Sequence, residues 1–155
     1  MPTLSLHQHD FLDAADAQSA PVLPAGMRAY FDAVLTTLVL EHFPLATFAA
    51  LLQTLVRPGG LVLLTNMHPD MGARSQAGFI GTDGEGRQVK IRGRSWVHGV
   101  AETVEGARAC GFEVVGSIGE RAVTEDMLGL IGERGGKWVG CNVWYGMVLR
   151  RTIQQ

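Results

Sequence analysis

Five histidines are the residues of this sequence best suited to moving protons, and their neighbours decide what each can do. His42 follows Glu41, and an imidazole whose pKa lies near neutrality can take a proton from a hydroxyl or an amine. The same Glu41-His42 pair also suits the solvated start of a helix. His68 stands between Asn66 and Arg74 in a polar stretch, Asn66 to Gln76 (NMHPDMGARSQ). Those three side chains could orient an acidic or hydroxylated small molecule; an ordinary polar loop is the other reading. His98, two residues after Trp96, could face the same mouth or simply pack on an aromatic ring. His7 and His9 project to one strand face, but no third ligand lies at a suitable spacing, so a metal site is not expected. Cys110 and Cys141 lack CxxC spacing and sit in apolar surroundings, which reads as two buried thiols in a reducing compartment. Tyr145, Trp144 and Trp138 read as core or edge aromatics.

These side chains must be positioned by a strand, a helix and a second strand within Phe31 to Thr65 (FDAVLTTLVLEHFPLATFAALLQTLVRPGGLVLLT). Phe31, Ala33, Val34 and Leu35 continue without alternation into Leu38, Val39 and Leu40, the pattern of a strand covered on both faces. From Leu45 the apolar residues fall at Phe48, Ala49, Leu52, Leu55 and Val56, one face of a helix. Pro44 suits the first helical position, Pro58 cannot continue the helix, and Gly59 or Gly60 can take the left-handed geometry that ends it. The next strand is expected at Leu61 to Leu64, in a right-handed parallel crossover. The polar stretch carrying His68 then leaves the carboxyl end of a buried strand, where open α/β sheets bind ligands.

Around this unit, Thr3 to His9 (TLSLHQH) suits a short edge strand, and Ala14 to Tyr30 an irregular loop. Phe79 to Ile91, with Gly81, Gly84 and Gly86 about Asp83 and Glu85, fits a hairpin. Val100 to Cys110 reads as a helix with Val104 and Ala107 on its apolar stripe, ended by Gly111. Phe112 to Ile118 is the next strand, Thr124 a cap for a helix through Met127, Leu130 and Ile131, and Asn142 to Leu149 the last strand.

At 155 residues, 46% of them hydrophobic, the chain has material for one domain, taken as residues 1–155. The formal charge, 13 − 15 = −2, comes without a basic cluster and argues against nucleic acid as a partner. No apolar run reaches membrane-spanning length, and the first residues lack the pattern of a signal peptide. No membrane association and a cytoplasmic location are the expectations.

The order of these pieces resembles the class I, Rossmann-like, S-adenosylmethionine-dependent methyltransferases. The likeness rests on Asp10-Phe11 after a short strand, Phe31-Asp32-Ala33-Val34 opening the central strand, Val56-Arg57-Pro58-Gly59-Gly60, and Gly111-Phe112 before a late strand; it runs from Leu4 to Arg150. His68-Pro69 after the second strand resembles the ubiquinone-methyltransferase-like, small-molecule type. The resemblance implies an α/β fold whose sheet is mostly parallel with an antiparallel C-terminal strand and helices on both faces. It also implies that Asp10 accepts from the adenine amino group, Phe11 lies against that ring, and Thr36, Thr37 and Leu38 border the methionine part of the cofactor. Glu41 and His42 would lie between cofactor and methyl acceptor, with His42 and His68 the catalytic candidates and Glu41, Asn66, Arg74 and His98 the substrate-binding ones.

One part of the family pattern has no counterpart here: a first strand, glycine-rich turn and helix, then a strand ending in a ribose-binding acid. Gly81-Thr82-Asp83-Gly84-Glu85-Gly86 does not join a buried strand to a helix, and Gly116-Ser117-Ile118-Gly119 has the wrong spacing, so both read as turns. The chain is therefore expected to be the truncated, C-terminal part of such a domain. Losing charge-assisted bonds of about 1.5–3 kcal/mol each weakens affinity on the order of tens-fold per bond, so binding of S-adenosylmethionine should be weak or absent. The strand beginning at Phe31 would be left with a bare edge, to be covered by the Leu4–His9 strand, by a second copy in a homodimer, or by a partner chain. Two functions follow from the resemblance: methyl transfer to a small molecule, or a non-catalytic remnant acting as a binding module.

Overall fold

Two parallel strands joined over a helix form the middle of the fold. The computed structural model describes residues 31–75, 78–92 and 95–153, so the expected Thr3–His9 strand, with Asp10 and Phe11, lies outside the described residues. Strand β1 (Phe31–Thr37) pairs in parallel with β2 (Val56–Met67) across a 3-10 turn (Leu40–His42) and helix α1 (Leu45–Leu55). This is the crossover that the apolar pattern predicts.

Two local details differ from that pattern. First, β1 is not covered on both faces: Ala33, Leu35 and Thr37 are exposed while Thr36 is buried. The apolar run does not mark one long strand, because the chain turns at Leu38 (φ 53) and buries Leu40 from the 3-10 turn instead. Second, α1 stops at Leu55, before Pro58, and the Pro-Gly-Gly sequence lies inside β2. Pro58 has no N–H for a regular ladder, and the pairing accordingly jumps from Phe31↔Val56 to Ala33↔Leu61. Gly59 (φ 78) carries that irregularity.

The four-stranded sheet has the order β1-β2-β6-β5, with β6 (Asn142–Arg151) antiparallel to both β2 and β5 (Phe112–Ala122). The sheet is thus mixed, with the antiparallel C-terminal strand expected; among the described residues, parallel pairing is confined to β1 and β2. Strand β5 runs past Ile118 to Ala122, and the Gly116–Gly119 stretch is a register shift within it. After Thr124 a 3-10 turn (Glu125–Met127) and α4 (Leu128–Ile131) replace the single expected helix.

The core lies on one face of this sheet. Val62 and Leu64 of β2, Tyr145, Met147 and Leu149 of β6, and Phe112 of β5 point to that face. Phe48 and Leu52 of α1 and Val104 and Ala107 of α3 (Val100–Ala109) close over them. Gly111, at φ 76, takes the left-handed position just past α3. The described helices α1 and α3 share this face, and on the opposite one Leu35 and Leu63 stay 70% and 47% exposed. A separate hairpin, β3 (Gly78–Thr82) and β4 (Gln88–Arg92), forms as its glycines predict. Helix α2 (Pro69–Arg74) replaces the polar loop after β2 and packs on β6.

Candidate functional site

The carboxyl ends of β1 and β2 gather most of the polar side chains singled out above. Thr36 is the rung neighbour of Leu64, and Asn66 lies two residues further along the inner face of β2. Parallel strands present their last residues at one end, and the 3-10 turn after β1 brings Glu41 to the same end, in contact with β2. Leu38, at the junction, holds a left-handed backbone that a branched side chain rarely adopts. Such strain persists where surrounding structure enforces it, and it concentrates at functional sites.

Burial is deep here, and the polar groups are incompletely matched. Thr36 is 7% exposed and Asn66 1%. Thr36 Oγ1, Asn66 Oδ1 and Glu41 Oε2 are buried without a hydrogen-bond partner among the described residues. A buried oxygen with no donor costs about 1–3 kcal/mol, and more when charged. The three atoms belong to β1, β2 and the 3-10 turn between them, elements that meet at this end of the sheet.

Behind them runs a directional hydrogen-bond chain. Thr103 Oγ1 donates to Gly99 O at 2.9 Å, so its lone pairs accept from the Tyr145 hydroxyl at 3.1 Å. Asn66 is the cross-strand partner of Tyr145, on the same face. Burial is the dominant influence on Tyr145 and raises its pKa, opposed by Thr103 and Asn66 and reinforced by the charges of Glu41 and Glu102. The phenol is thus neutral at physiological pH and free to donate to Thr103.

The histidines separate into two kinds. His42 is exposed (55%), with Nε2 3.9 Å from Glu41 Oε1, and its ring is accessible for proton transfer. His68 is buried and caps α2: Nδ1 accepts from Asp70 N at 3.1 Å, so the proton is on Nε2, which meets Glu120 Oε2 at 3.0 Å. Its ring stands edge-on to Tyr145, with centroids 6.4 Å apart. His98 is also buried, its Nε2 2.8 Å from Phe43 O. His68 and His98 thus have their ring nitrogens engaged by the fold.

Of the remaining candidates, Thr37 and Leu38 are exposed at the strand end, and Arg74 is exposed in the last turn of α2. Sequence reasoning missed Tyr145, Thr103 and Glu120. For Tyr145 a signal existed: in β6 it alternates with Met147 and Leu149, so it must face the same inner surface. Thr103 and Glu120 carried no such signal. Among the described residues no group of histidine, cysteine and carboxylate side chains could hold a metal ion. Nor is any described helix long and apolar enough to cross a membrane.

The sheet order, the crossover and the antiparallel last strand define the fold of class I S-adenosylmethionine-dependent methyltransferases, in an α/β form with a mixed sheet. Among solved structures the chain is similar to an S-adenosylmethionine-dependent methyltransferase from Mesorhizobium loti, with a TM-score of 0.55 at 18% identity over 87% of this chain and 66% of that one. It is similar to another such protein, from Methanosarcina mazei, with a TM-score of 0.51 at 11% identity, over 90% and 66%. The [4+2]-cyclase SpnF shares the fold too, with a TM-score of 0.51 at 16% identity, over 90% and 54%. By sequence the chain is 44% identical over 133 residues to an uncharacterized methyltransferase of Emericella nidulans, covering 81% of this chain and 45% of that protein. The chain thus spans less than half the length of this curated relative. No protein-family model matches it.

Proposed function

We propose that this chain is an S-adenosylmethionine-dependent methyltransferase, or the C-terminal portion of one, acting on a small molecule of the ubiquinone-methyltransferase-like kind. The observation that carries the reading is the 44% identity to a methyltransferase, joined to unmatched buried acceptors at the carboxyl ends of two parallel strands. That end of an open α/β sheet is where ligands bind.

S-adenosylmethionine would supply a methyl group on a sulfonium, and such a transfer demands alignment and exclusion of water more than strong acids or bases. Its ammonium and hydroxyl donors are of the kind that Thr36 and Asn66 can accept, so the residues present fit the group in part. Thr36, Thr37 and Leu38 would border it, and Asp10 and Phe11 are assigned to its adenine from the sequence resemblance. His42, the accessible imidazole, takes the proton released by the acceptor. His68 and His98 are positioning residues: the first fixes the start of α2, the second ties Phe43 to the segment before α3. Arg74 is free to meet an acidic group of the acceptor. No glycine-rich cofactor loop occurs in these 155 residues, so the chain by itself holds the donor weakly. The outer edge of β1, unpaired among the described residues, is where a second copy or a partner chain would add. Two free cysteines suit a reducing cytoplasm.

The test is a nitrogen-resolved magnetic resonance titration with millimolar S-adenosylhomocysteine. Backbone signals of Thr36, Thr37, Leu38 and Asn66 are expected to move together. Their indifference at that concentration would overturn the reading, and micromolar affinity by calorimetry would overturn the weak-binding part of it.

A further inference from the structure

We propose that His68 is a proton-operated latch on the first turn of α2, closed while its ring is neutral and released when the ring gains a proton in mild acid. The latch acts on the segment that leaves the carboxyl end of β2, and it does not depend on the methyl-transfer reading above.

Two hydrogen-bond arrangements are open to the same ring. In the neutral one, Nδ1 accepts from the Asp70 backbone N–H at 3.1 Å, which is the side-chain cap of α2, and Nε2–H donates to Glu120 Oε2 at 3.0 Å. Nδ1 also lies 3.4 Å from Asp70 Oδ2. An imidazolium has a donor at each nitrogen and no acceptor. A proton on Nδ1 therefore faces the Asp70 N–H as donor against donor, while the carboxylate of the same residue stands within reach to accept it. The exchange strips the Asp70 N–H of its acceptor and draws Oδ2 from Asn142 Nδ2 of β6, its present donor at 3.1 Å.

The surroundings suit such an exchange. The groups facing the ring are Asp70 of α2, Glu120 of β5 and, edge-on, Tyr145 of β6. Among the described residues no lysine or arginine is ion-paired with either carboxylate, so the imidazolium is the cation that both would gain. The His68 side chain is 8% exposed, but Glu120 and Asp70 are about half exposed and connect the ring to solvent protons. Met71 N and Gly72 N both donate to His68 O at 3.0 Å, and neither bond involves the ring. Protonation thus loosens the start of α2 without unfolding it. Because α2 closely follows Asn66 and carries Arg74 in its last turn, the loosened segment borders the candidate site.

The experiment is a titration of the full chain, labelled in its backbone and histidine rings, followed by magnetic resonance from about pH 8 to about pH 5. At the upper end His68 is expected to carry its proton on Nε2. As the ring gains its second proton, the Asp70 amide is expected to shift with the same midpoint. Its protection from hydrogen exchange should fall about fivefold to tenfold, the worth of one helix cap. The amides of Met71, Gly72 and His68, the last donating to Val143 O, are expected to keep their protection. His68→Asn retains a capping oxygen that does not titrate, so the Asp70 amide should stay protected throughout. A neutral ring protonated on Nδ1, an Asp70 amide that ignores the His68 midpoint, or the same acid response in His68→Asn would overturn the latch. Joint loss of protection at Asp70, Met71, Gly72 and His68 would also overturn it, since that is unfolding. The S-adenosylhomocysteine titration tests the methyl-transfer reading separately, and either can fail alone.

Discussion

Tyr145 is the residue on which the polar interior turns. Its hydroxyl donates to Thr103 Oγ1, so Tyr145→Phe leaves that buried oxygen without its donor. The expected cost is about 1–3 kcal/mol, read as a lower urea midpoint with an unchanged slope. The pH dependence follows from the same burial. The folded-state pKa of Tyr145 is raised above the ordinary 10.0, so the unfolded chain loses the proton first as pH rises. Stability that is complete below pH 10 should therefore fall above it, and the fall should be smaller in Tyr145→Phe. At His42, replacement by alanine is expected to lower turnover by about 10²–10⁴-fold, the range for removing a general base. His68→Ala should instead lower the melting temperature, because it removes a helix cap and the partner of Glu120. Nothing in the spacing of the two histidines distinguishes them. Both stand in polar sequence, and only burial and two engaged ring nitrogens separate the anchored one from the accessible one.

At the scale of elements, the irregular start of β2 does the positioning. A Cβ placed on Gly60 would lie 2.8 Å from Val56 Cγ1, 2.9 Å from Arg57 O and 3.0 Å from Asp32 O. Two of these are backbone atoms of the β1–β2 junction, so Gly60→Ala is expected to destabilise by about 1–3 kcal/mol in denaturant unfolding. The β3–β4 hairpin is tied at Asp83, whose carboxylate accepts from the Arg87 and Glu85 backbone and from the Arg87 side chain. The backbone bond from Arg87 is the largest influence holding its pKa below 3.8. This contribution is present above that value and lost as pH falls through the lowered one, so amide exchange in the hairpin should quicken in acid at that point. The helices α1 and α3 were legible because their apolar stripes repeat at helical spacing and glycine marks the end of α3. The end of β1 was not, because an unbroken apolar run looks the same whether the chain continues straight or turns at Leu38 to bury Leu40.

On the scale of the whole molecule, the sheet has one filled face and one with Leu35 and Leu63 exposed, beside an edge of β1 that is unpaired among the described residues. If that face is covered by association in solution, Leu35→Glu with Leu63→Glu should bring the particle to the mass of a single chain in sedimentation. Its folding free energy should stay within about 0.5 kcal/mol, as for exposed substitutions. The fold by itself does not fix the reaction, since the same architecture serves a [4+2]-cyclase. What the sequence determined by itself was the crossover and the mixed α/β class, because hydrophobic period and turn residues act locally. The tertiary structure alone decided which polar atoms meet. Tyr145 meets Thr103 of α3 and lies opposite Asn66 only because β6 crosses back from the far end of the chain to pair with β2. A hydrogen-bond direction depends on what lies opposite, and separation along the chain does not carry that information.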